Sequence, residues 1–294
     1  TMLPKEEYIE QAYFFKSLGE RLLEDTPSQE VLSTIKEEML ATTRLPMAID
    51  FMASELRLHG VFATAMRRLS HYFTPFQTFV VAEGEAERGR FDLQIGLQIL
   101  QREAEFRGGE PSPQGLFLFQ FECLCRNRLG YDAGLKAVSE DPIFNEDWKS
   151  WILKVRQQVG IVDICDMIYV RSELYRINQA RQAAGGAAVD SREVAVLFGE
   201  KEGRIAWANR RKDPIYLFNA FHRQLGYPAV PRPKAVDESV SLLPRLVRQM
   251  ERLEHRIRLL EEENRGGIHI EKFFGDQQLP PPPGGKELGY DKLE

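Results

Sequence analysis

Apolar residues recur through the first two thirds of the chain at three- and four-residue intervals, the period of an amphipathic helix. Tyr8, Ala12, Phe15 and Leu22 share one face before Asp25, and Val31, Leu32, Ile35 and Met39 share the next. Ile49, Ala53 and Leu56 follow Pro46, and Val61, Ala65 and Leu69 lead toward Tyr72. Trp148, Trp151, Ile152, Val155 and Val159 mark a strongly amphipathic helix ending at Gly160, and Ile161, Cys165, Ile168 and Tyr175 carry another toward Gly185-Gly186. Helix starts are punctuated too. Thr26-Pro27-Ser28-Gln29 and Thr74-Pro75-Phe76-Gln77 each set threonine at the N-cap, proline first and glutamine third. In that spacing the hydroxyl and the amide satisfy backbone donors that the helix itself leaves unpaired. Asp141-Pro142 and Asp213-Pro214 read as acidic versions of the same start. From Pro75 to Arg107, Gly84, Gly89 and Gly96 predict an interrupted helix or two helices, since glycine costs about 1 kcal/mol relative to alanine inside a helix.

The texture changes after Gly186. Val194–Phe198, then Gly199-Glu200-Lys201-Glu202-Gly203, then Arg204–Trp207 read as strand, glycine-bearing turn and strand. A lone hairpin is marginal, so it is expected to pack on a helix from Pro214 to Gln224 through Ile215, Phe218 and Phe221. Prolines 228, 231 and 233 then enforce an extended linker. Beyond it Leu243, Leu246, Met250, Leu253, Ile257 and Leu260 follow at spacings of 3, 4, 3, 4 and 3, with Asn264 at the next a position. That is a heptad seam, roughly 35 Å of helix. In a parallel pair Arg256 at g faces Glu261 at e, and Asn264 favours one register. Leu242 at g and Val247 at e widen the stripe, so packing on the chain's own body is the alternative. Ile268–Phe274 reads as one strand, Pro280–Pro283 as polyproline II and the rest as a polar tail.

The predicted architecture is mainly α. It comprises a helical body over 1–185, a hairpin-plus-helix module over 186–230, a linker and coiled-coil arm over 231–265, and a flexible Pro/Gly-rich tail over 266–294. One segment, Leu129-Gly130-Tyr131-Asp132-Ala133-Gly134-Leu135 closing on Asp141-Pro142, resembles a tetratricopeptide half-repeat and implies a helical hairpin. It has no second copy, and a solenoid needs about three.

Composition narrows the function classes. At 294 residues with 43% hydrophobic and 28% charged residues, the chain can bury a substantial core. Cys123, Cys125 and Cys165 are few and odd in number, which suits free thiols in a reducing, cytoplasmic setting. The longest apolar stretch, Leu116–Cys125, is about half the length of a membrane span. Net charge is −5, yet residues 201–258 hold 13 Lys/Arg against six Asp/Glu, leaving a net −12 elsewhere. Arg210, Arg211, Lys212, His222 and Arg223 form the candidate polyanion-binding set, with Trp207 and Tyr227 available for stacking on bases. No helix-turn-helix, zinc-finger or RNP-type signature accompanies them.

Catalytic chemistry finds little footing. Cys123-Leu124-Cys125 turns two thiols about 200° apart on a helix, and no second Cys/His pair supports a metal site. Glu55 and His59, one turn apart, read as an i, i+4 pair. Asp163 and Asp166 read as an ion-pair network with Arg171. No nucleophile elbow, phosphate loop or dinucleotide fingerprint occurs, so no catalytic residue, cofactor or metal is assigned. The aromatics Phe14, Phe15, Tyr72, Phe73, Phe76, Phe79, Phe117, Phe119 and Phe121 read as core, or as the lining of an apolar pocket. The expected function is a non-catalytic assembly or adaptor protein using a helical surface and the coiled coil, which mediates self-association or binds a partner helix. The alternatives are a nucleic-acid-associated protein using residues 201–258, and an enzyme or small-molecule binder within the helical body.

Overall fold

The structure of the chain, a computed structural model, describes residues 2–24, 27–86, 91–184 and 195–233, together with Ile257. Among these it is mainly helical, with thirteen α-helices and no β-strand. In order they are α1 (Lys5–Arg21), α2 (Ser28–Glu38), α3 (Leu45–His59), α4 (Phe62–Arg68), α5 (Pro75–Glu85), α6 (Leu93–Gly108) and α7 (Pro113–Arg126). Then come α8 (Tyr131–Ser139), α9 (Glu146–Gln158), α10 (Ile164–Val170), α11 (Glu173–Ala184), α12 (Glu200–Asn209) and α13 (Pro214–Leu225). No described helix is long and apolar enough to cross a membrane. The chain divides into two compact units, Thr1–Pro233 and Lys234–Glu294.

The first unit is built around α7, the longest apolar stretch of the sequence. Leu116, Phe117, Leu118, Phe119, Cys123 and Leu124 are all buried, and so are Gln120 and Glu122. A helix that is apolar all round must be covered all round, and α6, α8 and α13 pack on it. Glycine permits one of these approaches: a Cβ on Gly134 of α8 would sit 2.6 Å from Leu124 Cδ2. On one side α1 lies along α6, and Phe14, Phe15, Phe73 and Phe76 fill the space between them and α5. On the other, Phe117 meets Trp151 at 4.8 Å, and both Trp148 and Trp151 meet Phe198 at 5.2 Å. Each large side chain buried in this way contributes about 3 kcal/mol or more against truncation.

Local signals act where the sequence places them. Thr74 Oγ1 accepts the Gln77 amide and Gln77 Oε1 accepts the Thr74 amide, the predicted capping box. Asp213 accepts the Ile215 amide and starts α13 beside Pro214. The stretch from Pro75 forms two helices, and Asp92 caps the second of them. Thr26 lies outside the described residues. Asp141-Pro142 does not start a helix: Asp141 accepts the Ile143 amide at 3.2 Å and also pairs with Arg107, but only a turn follows, and α9 begins at Glu146 behind an Asn145 cap. The helix read from Ile161 toward Gly185 is broken into α10 and α11 at Ser172, whose Oγ accepts the Tyr175 amide.

The hairpin is corrected. Residues 200–209 are the helix α12, with Glu200 and Glu202 in its positively polarised first turn. The apolar run before it does extend, but it pairs elsewhere: Phe198 bridges Ser172, and the Leu197 and Phe198 amides donate to Arg171 O. Gly203 is needed for close packing rather than for a turn. A Cβ there would stand 2.4 Å from Ser172 Oγ and 2.9 Å from Leu174 Cβ.

Gly226 ends α13 in the left-handed region at φ 66°, where glycine has no Cβ penalty. Residues 227–233 then form a strap without helix or strand, fastened to the C-terminal end of α7. Tyr227 is buried and donates its hydroxyl to Glu122 Oε2 at 2.8 Å, and Asn127 Nδ2 donates to Pro231 O at 3.1 Å. Of the second unit only Ile257 is described: it is helical and 54% exposed. The other seam residues, Leu243, Leu246, Met250, Leu253, Leu260 and Asn264, lie outside the described residues, as do the strand read at 268–274 and the proline run.

Candidate interaction surface

Three short elements meet at the end of α12. Asp163 caps α10 by accepting the Cys165 amide at 2.9 Å, and its second oxygen accepts the Arg211 amide at 2.9 Å. Arg211 takes the left-handed conformation, φ 58°, and so turns the chain from α12 into α13. Arg210 Nη1 pairs with Asp166 Oδ1 at 3.1 Å, and its guanidinium carbon lies 3.4 Å from the Trp207 ring centroid. Trp207 in turn lies 4.6 Å from Tyr169, which packs on Tyr175 at 5.3 Å. Stacking on guanidinium is a planar contact that suits arginine rather than lysine.

The electrostatics favour the charged form of Asp163. Burial alone would raise the Asp163 carboxyl, but the Arg211 and Cys165 amides and the Arg210 charge outweigh it and hold the group below its ordinary value. Burial and the neighbouring Asp163 charge push the Cys165 thiol up to about 12. Asp163 and Asp166 do form an ion-pair network, but its cation is Arg210, not Arg171. Arg171 instead donates to Ala195 O at 3.1 Å.

Several apolar side chains are exposed on the segments that form the corner. Trp207 is 49% exposed, and Ile161, at the tip of the turn after α9, is 83% exposed. Val162, Val170, Ile215 and Tyr216 are also exposed on the flanking segments. Arg211 and Lys212 are exposed beside them. His222 and Arg223 are not part of this corner. They lie about 12 Å farther along α13, with the His222 ring 5.4 Å from Tyr227. The five predicted cationic positions thus fall into two groups.

The remaining sequence candidates are placed as follows. Glu55 is buried, pairing with Arg68 at 2.6 Å and with His59 at 3.6 Å. Cys123 and Cys125 are free; burial pushes Cys123 well up and Cys125 to about 11. No group of three metal-binding side chains forms among the described residues. The aromatic cluster around Phe14 and Phe15 encloses a cavity of only about 10 Å³, against several hundred for a ligand pocket.

Two polar constellations escape sequence reading. Arg107 pairs with Glu103 at 2.9 Å and with Asp141, and Gln120 Nε2 donates to Glu103 Oε1 at 2.8 Å; all four side chains are buried. Glu7 accepts the Arg44 amide at 2.9 Å and the Tyr72 hydroxyl at 2.7 Å, while Glu10 accepts the Leu40 amide at 2.9 Å. Only spacing could have hinted at the first, and Glu103 with Arg107 at i, i+4 reads equally as a surface pair. No known protein family, curated protein or solved structure matches the chain.

Proposed function

We propose that the protein is a non-catalytic assembly or adaptor protein that engages partners through its helical surface, with the C-terminal seam Leu243–Asn264 acting as a coiled-coil arm for self-association or a partner helix. The observation that carries this reading is the half-exposed Trp207, braced by Arg210 and Tyr169, with Ile161, Val170 and Tyr216 exposed on the segments that lead into and out of the Asp163–Arg211 corner. Tryptophan, tyrosine and arginine in a pre-set arrangement are the residues that dominate protein interfaces. Their bracing lowers the entropy cost of ordering them on binding. The three free thiols support placing this activity in the cytoplasm.

Affinity capture from native lysate tests the corner. A partner retained by the full chain is expected to be lost with Trp207→Ala/Tyr216→Ala while the helical circular dichroism is kept. Equal capture by both would overturn the assignment. Light scattering tests the arm. The full chain is expected at twice 33.8 kDa or more, with monomer recovered by Leu246→Asp/Leu253→Asp; a monomeric full chain removes the pairing.

A nucleic-acid reading draws on one observation, the exposure of Arg211 and Lys212 beside Trp207. It predicts single-strand binding that weakens steeply with salt and falls further with charge reversal at Arg210 and Arg211. No binding at low salt excludes it.

A further inference from the structure

A second surface lies on α3. In a helix of 3.6 residues per turn, Met47, Phe51, Ser54 and Leu58, spaced four, three and four apart, share one ridge. The ends of the ridge face solvent, with Met47 76% and Leu58 74% exposed, and Phe51 is half-buried between them. Ser54 does not interrupt it, because its hydroxyl is turned back onto Asp50 O at 2.9 Å. The opposite face, with Leu45, Ala48, Ile49, Met52 and Leu56, is buried in the core, so the outer ridge is not needed for folding.

Charge flanks the ridge asymmetrically. Arg57 is exposed on one side, and Arg44 stands one turn before Met47. On the other side the Arg68 guanidinium lies 5.4 Å from the Phe51 ring centroid. Two acids adjoin the ridge, and each is matched by one cation: exposed Asp50 pairs with Lys36 at 2.8 Å, and buried Glu55 pairs with Arg68 at 2.6 Å, which leaves Arg44 and Arg57 as the cations in excess. A molecule of net charge −5 thus presents here an apolar ridge with cationic borders.

We propose that this α3 ridge docks an acidic amphipathic helix of a partner protein, whose leucine-type seam packs on Met47, Phe51 and Leu58 and whose flanking carboxylates meet Arg44 and Arg57. The four-three-four spacing is that of a helix–helix seam. A lipid surface has no such register to match. The ridge is about 16 Å long, three helical turns. It shares no residue with the Trp207 corner, so the two assignments stand or fall separately.

The test is fluorescence anisotropy with the full chain and a labelled synthetic helix carrying leucine at a and d and glutamate at e and g. Saturable binding is expected. It should weaken about tenfold or more, or about 1.4 kcal/mol, in Met47→Asp/Leu58→Asp, and similarly for a probe with lysine at e and g. Trp207→Ala should leave it unchanged. Both substituted side chains are exposed, so circular dichroism should match wild type; Met47→Ser/Leu58→Ser replaces the pair if it does not. Absence of saturable binding, equal binding of the lysine probe, or indifference to the double substitution overturns the proposal. So does a ridge-dependent response seen instead with vesicles of phosphatidylcholine and phosphatidylglycerol, or in the oligomeric state by light scattering.

Discussion

Replacing Arg107 by methionine removes the only cation from a cluster of buried polar groups. Arg107 bridges Glu103 of its own helix and Asp141 of the α8–α9 connection, and Gln120 of α7 completes the cluster. Methionine fills similar volume, so the cavity contribution is small. What remains is two carboxylates without their counter-charge in a region closed to solvent. Removing one partner of a buried pair costs about 3–5 kcal/mol, and here one residue serves two acids, which places the expected loss in the upper part of that range. With a urea m-value of about 2–3 kcal/mol/M, the unfolding midpoint should fall by about 1.3–2.5 M at constant m. Trp148 and Trp151 lie in the core, and all three tryptophans belong to the unit ending at Pro233, so tryptophan emission follows that unit's unfolding. The triple variant Glu103→Gln/Arg107→Met/Asp141→Asn should recover most of the loss, because no unpaired charge is left inside. A loss below about 1 kcal/mol for Arg107→Met alone would refute the reasoning, since it would mean that the cluster is wet or pliable enough to need no internal cation.

Other outcomes follow from individual contacts. Gly203→Ala should cost about 1–3 kcal/mol in thermal or urea melts, because its methyl group meets Ser172 and Leu174; adding Ser172→Gly should restore part of it. Asp163 is held below its ordinary value by two amides and Arg210. It therefore stabilises the fold above its unfolded pKa of about 3.9, and that contribution is lost as pH falls through the lower folded value. Asp163→Asn keeps a good cap and should flatten the acid limb of the stability curve below about pH 4; an unchanged limb would show that the carboxylate charge contributes nothing. At about pH 8 a thiol reagent should find no fast-reacting group in the folded unit, since Cys165 sits near 12 and Cys125 near 11, and three thiols after unfolding. One rapid native thiol would contradict this.

Side-chain chemistry that acts within a few residues of its own position is readable in the sequence. Thr74 with Gln77, Asp213 with Pro214, and the stripe Trp148–Val155 need only their neighbours to act, and each does what its spacing predicts. Failures come where a distant partner decides. Asp141-Pro142 resembles a helix start, and Asp141 does accept the Ile143 amide, but its carboxylate is shared with Arg107, 34 residues away, and the helix starts only after Asn145. Gly199 and Gly203 resemble turn glycines, yet the first precedes α12 and the second admits Ser172. The β-branched and aromatic run ending at Phe198 has strand character, and it uses that character against residues 171–173 instead of making a hairpin. The corner at Arg210–Lys212 was visible as charge and Trp207 as an aromatic neighbour. The acidic braces Asp163 and Asp166 were not assigned to it, because no local rule links positions 44 and 48 residues apart. The α3 ridge was hidden for a different reason: Met47 and Leu58 look like core residues until burial of the opposite face leaves them outside.

The strap after α13 also has a mechanical meaning. Any tension on the chain beyond Pro233 must first peel the Pro231 carbonyl from Asn127 and only then dislodge the Tyr227 phenol from Glu122. Those two fastenings act in series, like a strain relief on a cable, so a pull from a tethered assembly is spent on a replaceable stitch before it reaches the packed helices.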